Sequence, residues 1–391
     1  MRNKSYISTM LISIIIITIL FSCAPTQQVE MKSKDAKEYS RLGSTHLDKG
    51  DFDQAILYLS KAIEMDPKNA DTYNNRGIAY RARGQHDRAI SDYTIAMELE
   101  PKNPLFYSNR AAAFCFKEQY DEAISDCNKA LEIDPRFAFA YHERGSAYGE
   151  KGEYDLAISD FTKALEINPN LDKTYDNRGQ IYYLKDQYDK AISDYTKAIE
   201  INPRYADAYY NRGVTYGNKG HHDRAISDYT KAIEINPGHA KAYINRGLEY
   251  NNKGHHDRAI SDCTKAIEIN AGYPEAYFNR GLAYGNKGQY DREISDYTKA
   301  IEINPRYADA YVNRGIAYGN KGQHDREMSD CTKAIEINPR YPESYINRAA
   351  GYFYKREYEK AWDDVYKARD LGYQVDPGFL KALRQASGRQ K

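Results

Sequence analysis

Small, aromatic and polar positions recur along this chain at one fixed interval. Prolines stand at 67, 101, 135, 169, 203, 237, 305 and 339, every spacing being 34 residues or twice that, with Ala271 in the skipped register. Starting each repeat three residues after its proline gives ten units: 36–69, 70–103, 104–137, 138–171, 172–205, 206–239, 240–273, 274–307, 308–341 and 342–375. In this frame position 4 is Tyr in all ten, from Tyr39 to Tyr345, and position 27 is Ala in all ten, from Ala62 to Ala368. Position 8 is Gly in eight, with Ala111 and Ala349 as exceptions, and position 20 is Ala in eight. Two antiparallel helices approach closely only where side chains are small, which places positions 8, 20 and 27 on facing surfaces. Large side chains at 4, 11, 17 and 24 fill the space between neighbouring helices. Proline at 32 cannot continue a second helix and sets the turn into the next unit. The pattern predicts an all-α stack of helix pairs, each unit burying its faces against its neighbours.

A 34-residue period with these slots resembles the tetratricopeptide-repeat (TPR) family over residues 36–375. The resemblance implies a right-handed superhelical solenoid of ten 34-residue helix-turn-helix repeats. Beyond the tenth, Asp376-Pro377 reads as an N-cap followed by a first-turn proline. Phe379, Leu380 and Leu383 then share one face, as a C-terminal capping helix within 376–391 requires to cover the last stacking surface.

Composition changes the picture little. Lys+Arg and Asp+Glu are both 56, which removes the electrostatic case for nucleic acid. Tyrosine is abundant, 38 of 391, yet the four aromatic slots absorb 27, so the excess belongs to packing rather than base stacking. The five cysteines form no CxxC pair, and Cys127, Cys263 and Cys331 all occupy position 24. The doublets His221-His222 and His255-His256 suggest metal ligands. However, the second His of each falls at position 17, where five other units carry Tyr, and adjacent repeats lie about 10 Å apart. No metal or other cofactor is expected. Phosphate-loop, GxSxG and HExxH motifs are lacking, and only 16 residues follow the tenth unit. The reading is a non-enzymatic binding protein without a small-molecule substrate.

Residues 1–22 read as a targeting segment. Arg2 and Lys4 precede an uncharged apolar run from Tyr6 to Phe21. Its end, Leu20-Phe21-Ser22-Cys23, resembles a bacterial lipoprotein signal, although Phe21 departs from the small residue usual at that place. The resemblance implies that Cys23 is lipidated and begins the mature chain, and that 23–35 is a polar tether. An uncleaved signal anchor is the other option. Either one puts the repeats outside the cytoplasm. Ala24, in place of Asp, favours the outer membrane of a bacterial envelope.

Units two to ten carry Arg at position 7, from Arg76 to Arg348, and Asp at position 23, from Asp92 to Asp364. Unit one has Leu42 and Tyr58 instead. Residues that appear and vanish together suggest contact, here a structural salt bridge between the two helices of a repeat.

In the family, positions 2, 5, 6, 9, 12 and 13 of the first helix line the concave surface. Position 6 is Asn75, Asn109, Asn177, Asn211, Asn245, Asn279, Asn313 and Asn347, with Arg41 and Glu143 as exceptions. This row resembles the asparagine ladder of helical-repeat proteins that grip extended peptides, since an amide both donates and accepts. Asn218, Asn252, Asn286 and Asn320 add a second row at position 13. The alternative is a solvated polar residue copied through duplication. Eight such bonds at ~1 kcal/mol supply roughly 8 kcal/mol against roughly 4–15 kcal/mol for association, so selectivity must come from elsewhere. Positions 5 and 9 read Tyr210/Val214, Ile244/Leu248, Phe278/Leu282, Val312/Ile316 and Ile346/Ala350 in the C-terminal half, and mostly polar before it. An exposed apolar stripe there would dock a partner's apolar segment; packing against the adjacent unit is the alternative. A chaperone-type adaptor gripping a partner's C-terminal carboxylate is a second functional option. Lys173 and Lys241 at position 2 stand isolated for that role. Glu293 and Glu327 break the alanine rule at position 20 without an evident reason.

Overall fold

The computed structural model describes residues 35–389. The targeting segment and Cys23 lie outside the described residues. Twenty-one helices and no strands are found among those described. One compact unit runs to Gln187 and holds α1 (35–48), α2 (Phe52–Met65), α3 (Ala70–Ala82), α4 (His86–Leu99), α5 (Pro104–Phe116), α6 (Tyr120–Ile133), α7 (Ala138–Glu150), α8 (Tyr154–Ile167) and α9 (Asp172–Leu184). A second begins at Tyr188 and holds α10 (Tyr188–Ile201), α11 (Ala206–Asn218), α12 (His222–Ile235), α13 (Ala240–Asn252), α14 (His256–Ile269) and α15 (Pro274–Asn286). It continues through α16 (Tyr290–Ile303), α17 (Ala308–Asn320), α18 (His324–Ile337), α19 (Pro342–Tyr354), α20 (Tyr358–Asp370) and α21 (Pro377–Ser387). Odd-numbered helices to α19 are the first helices of repeats, even-numbered ones the second.

The turn inside each repeat needs a left-handed residue at position 15. Seven repeats meet it with glycine, from Gly50 (φ 75°) to Gly322 (φ 72°). Three force other residues there: Glu118 (φ 59°), Asp186 (φ 56°) and Arg356 (φ 63°).

The two helices of a repeat touch where the small residues predict. A Cβ on Gly77 would lie 2.6 Å from the Tyr93 ring, and one on Gly213 2.8 Å from the Tyr229 ring. Where position 8 is alanine, position 24 shrinks: Ala111 pairs with Cys127 and Ala349 with Val365, all buried. Burial pushes the Cys263 thiol up to about 12 and Cys127 well above its usual range, so these cysteines are packing residues rather than reactive thiols.

The covarying Arg and Asp do meet. Arg280 Nε and Nη2 each donate 2.8 Å bonds to the two oxygens of Asp296, while Nη1 donates to Thr264 of the preceding repeat at 3.1 Å. The same fork recurs in both units, for example at Arg110–Asp126 and Arg348–Asp364. Tyrosines of positions 4 and 11 flank the guanidinium; Tyr73 and Tyr80 sit 5.7 and 5.6 Å from Arg76. Many tyrosines therefore solvate a buried charge as well as filling space.

The last repeat is closed by α21. Asp376 caps it by accepting from the Phe379 N–H at 2.8 Å. Leu383 is fully buried in one cluster with Trp362, Val365 and Val375.

Candidate protein-interaction surface

Within each compact unit, first helices of successive repeats approach one another (α5 with α7, α13 with α15, α17 with α19). Second helices make no comparable approach among the described residues. The first helices therefore form the inner face.

The position-6 asparagines lie on that face, but most spend part of their hydrogen-bonding capacity inside the protein. In the first unit Asn75 donates to Ser44 Oγ at 3.1 Å, Asn109 to Asn74 Oδ1 at 2.7 Å and Asn177 to Ser146 Oγ at 3.3 Å, each stitching a repeat to the one before it. In the second unit Asn245 donates to the Tyr210 hydroxyl at 3.2 Å. Asn313 and Asn347 turn back onto the carbonyls of Asp309 and Glu343, at 2.8 and 2.9 Å. Asn211 is half-buried and Asn279 buried. An amide has two N–H groups and a carbonyl, so a single internal donation leaves capacity for a ligand.

The apolar row needs a correction. Ile244 and Val312 are buried, 5% and 2% exposed, and cannot belong to an open stripe. Ile244 packs with Ala266 and Ala276 in the seam between repeats. Tyr210 and Phe278 lean on their own position-24 rings, Tyr229 and Tyr297, and on His239 and Tyr307 ahead of the next repeat, at 4.7–5.9 Å. Position 5 is mainly a seam residue. Position 9 is more accessible: Val214, Leu248, Leu282 and Ile316 are half-buried.

The histidine doublets have local roles. His222 Nδ1 lies 2.6 Å from Glu249 Oε2, and His256 Nδ1 2.6 Å from Asn251 Oδ1. Groups of three or more metal-capable side chains are lacking among the described residues.

Glu293 and Glu327 now have an account. Position 12 is glycine in several repeats, which opens a hollow on the first helix. In two repeats position 10 of the next repeat fills it: Ile181 lies over Gly149 and Glu249 over Gly217. The repeats after Gly285 and Gly319 offer only Ala317 and Gly351. There the carboxyls of Glu293 and Glu327 fill the space, at 2.4 and 2.7 Å from a would-be Cβ. Glu327 accepts from His324, or shares its proton, at 2.8 Å. Glu293 is 7% exposed, and among the described residues neither its Oε2 nor the Tyr297 hydroxyl beside it has a partner in good hydrogen-bond geometry. Burial pushes Glu293 up to about 7, a rise the nearby Tyr297 hydroxyl opposes only in part. The signal was in the sequence, as glycine at 12 followed by a small residue at 10 of the next repeat.

Family comparison agrees with the geometry. Models described as tetratricopeptide repeat match residues 40–104, 104–137, 138–171, 206–239, 240–273, 263–294 and 308–341, and a TPR repeat model matches 179–220 and 286–322. A comparison with curated proteins gives no match. Among solved structures, the Cut9-Hcn1 hetero-tetramer of the APC/C is 15% identical, with 94% of each chain covered and a TM-score of 0.53. A tetratricopeptide repeat protein from Parabacteroides merdae is 24% identical, covering 64% of this chain and 99% of that one, with a TM-score of 0.51. Both likenesses concern the fold alone. YrrB, a TPR protein with an unusual peptide-binding site, is 27% identical over 47% of this chain and 95% of its own. Its TM-score of 0.40 is too low for that site to bear on this one. The chain belongs to the tetratricopeptide-repeat family, whose fold implies a protein–protein interaction scaffold.

Proposed function

We propose that this protein is a membrane-tethered, non-catalytic scaffold that grips an extended segment of a protein partner on its inner face, in bacterial envelope assembly or secretion. The observation that carries the reading is the row on the second unit's first helices. Asn245, Asn313 and Asn347 each commit one amide hydrogen to the protein, and the half-buried Val214, Leu248, Leu282 and Ile316 run beside them. Amides that keep a donor and an acceptor bind any main chain, and the apolar neighbours supply selection. The tether is a lipid on Cys23, with the outer membrane favoured. A carboxylate-gripping adaptor is disfavoured, because position 2 of this unit reads Asp207, Lys241, Glu275, Asp309 and Glu343.

Crosslinking capture from membranes tests the inner face. Leu248→Asp and Leu282→Asp, both in the accessible position-9 row, are expected to lose the captured partner while keeping native helicity; unchanged capture by both removes the assignment. Palmitate incorporation that persists in Cys23→Ser refutes the lipid tether.

A further inference from the structure

Carboxylates and tyrosine rings alternate along the edge of the second unit's inner face. Glu275 on α15 and Asp309 on α17 are exposed, and Glu343 on α19 is half-exposed. Tyr307 and Tyr341, the residues preceding α17 and α19, stand between them. The Tyr341 hydroxyl donates to Asp309 Oδ1 at 2.6 Å. Tyr307 packs against Phe278 with ring centroids 5.1 Å apart. Burial and the charges of Asp309 and Glu275 raise the Tyr307 phenol, and burial with Asp309 and Glu343 raises Tyr341. Glu275, Asp309 and Glu343 hold the same position on three successive first helices and so form one row, with Tyr341 bonded to its middle member.

The other rows of this face are neutral. Position 6 is asparagine throughout the second unit, position 9 is Val214, Leu248, Leu282, Ile316 and Ala350, and position 13 is asparagine as far as Asn320 and then Tyr354. Charge on the face therefore resides at position 2, with four carboxylates against Lys241. Anionic lipid surfaces and nucleic acid are repelled by such a row. A lysine or arginine side chain gains a carboxylate at its tip and a tyrosine ring along its stem.

We infer that the inner face of α15, α17 and α19 takes an extended protein segment bearing lysine or arginine, its cations seated between Glu275, Asp309 and Glu343 over Tyr307 and Tyr341. This rests on the inner-face reading above and adds the partner's chemistry. Attraction of this kind sets selection and encounter rate, and weakens with salt.

The test uses the full chain and fluorescently labelled, unstructured peptides of alternating Lys and Thr, with Glu-Thr counterparts of equal length. The lysine peptide is expected to bind, more weakly as salt rises, and the glutamate peptide not to. Glu275→Gln, Asp309→Asn and Glu343→Gln together are expected to weaken binding about tenfold. These amides keep shape and the Tyr341 acceptor, and circular dichroism checks that the variant folds. Glu268→Gln and Glu302→Gln, whose carboxylates pair with Lys265 and Lys299 on second helices, are expected to change nothing. Equal binding of both peptides, or unchanged binding by the triple variant, overturns the inference. If membrane capture is lost in Leu248→Asp but untouched by the triple variant, the cationic partner falls and the inner-face reading stands. If neither set alters capture, both fall.

Discussion

Glu293 offers the sharpest prediction, because its cost depends on pH in a calculable direction. An ordinary glutamate in the unfolded chain has a value of 4.5, and burial raises Glu293 in the folded protein to about 7. Below 4.5 both states hold the proton and no penalty exists. Between 4.5 and 7 the folded state binds more protons than the unfolded one, so stability falls as pH rises. Above 7 the loss is complete. At about 1.4 kcal/mol per unit, the shift amounts to roughly 3 kcal/mol as an upper bound. Glu293→Gln keeps the volume over Gly285 and removes the titration, while Tyr297 can accept from the new amide. The variant is expected to match the native chain near pH 4.5 and to exceed it by about 1–3 kcal/mol at pH 8. Urea unfolding followed by fluorescence suits the measurement, because Trp362 is the only tryptophan and lies buried in the tenth repeat. Trp362 stands two repeats beyond Glu293, so circular dichroism, which reads helix loss in every repeat, is recorded beside it. A difference between variant and native chain that is constant across pH, or a destabilisation at pH 8, refutes the buried-carboxylate account.

Other changes follow from the same packing. Arg280→Ala leaves Asp296 almost buried without its fork, and the expected loss is about 3–5 kcal/mol in urea unfolding. Arg356→Gly relieves a left-handed backbone and is expected to gain about 1 kcal/mol, read as a raised Tm. Leu383→Ala opens a cavity beneath the cap and is expected to cost about 2–5 kcal/mol, with Trp362 emission shifted to the red at lower urea.

Much of the fold was legible because the repeat tells its rules ten times over. The Arg–Asp fork could be inferred without an alignment, since repeat one lacks both members and serves as an internal control. Interfaces between repeats were less legible. Position 5 reads as an apolar stripe along one helix, yet Ile244 and Val312 are buried by a neighbour 34 residues away in sequence. Helical periodicity tells which residues share a face and not what covers that face. The asparagine row was mixed for the same reason: its placement was readable, whereas Asn109 bonding to Asn74 or Asn313 to its own helix depends on side-chain reach. Glu293 looked like an error at position 20 because its cause lies at position 12 of its own repeat and position 10 of the next.

That hollow over position 12 also bears on how the array can be rearranged by recombination. Repeats eight and nine carry their own plugs, Glu293 and Glu327, and ask nothing of whatever follows them. Repeat six depends on its successor, since the tight contact over Gly217 comes from Glu249, with the Tyr229 hydroxyl only at 3.8 Å. Excising repeat nine would leave a sealed joint, whereas excising repeat seven would bring Ala283 to Gly217 and leave it open. Near-identical cassettes are thus not equally portable. The self-plugged ones are free to multiply, while the others are bound to their order in the chain.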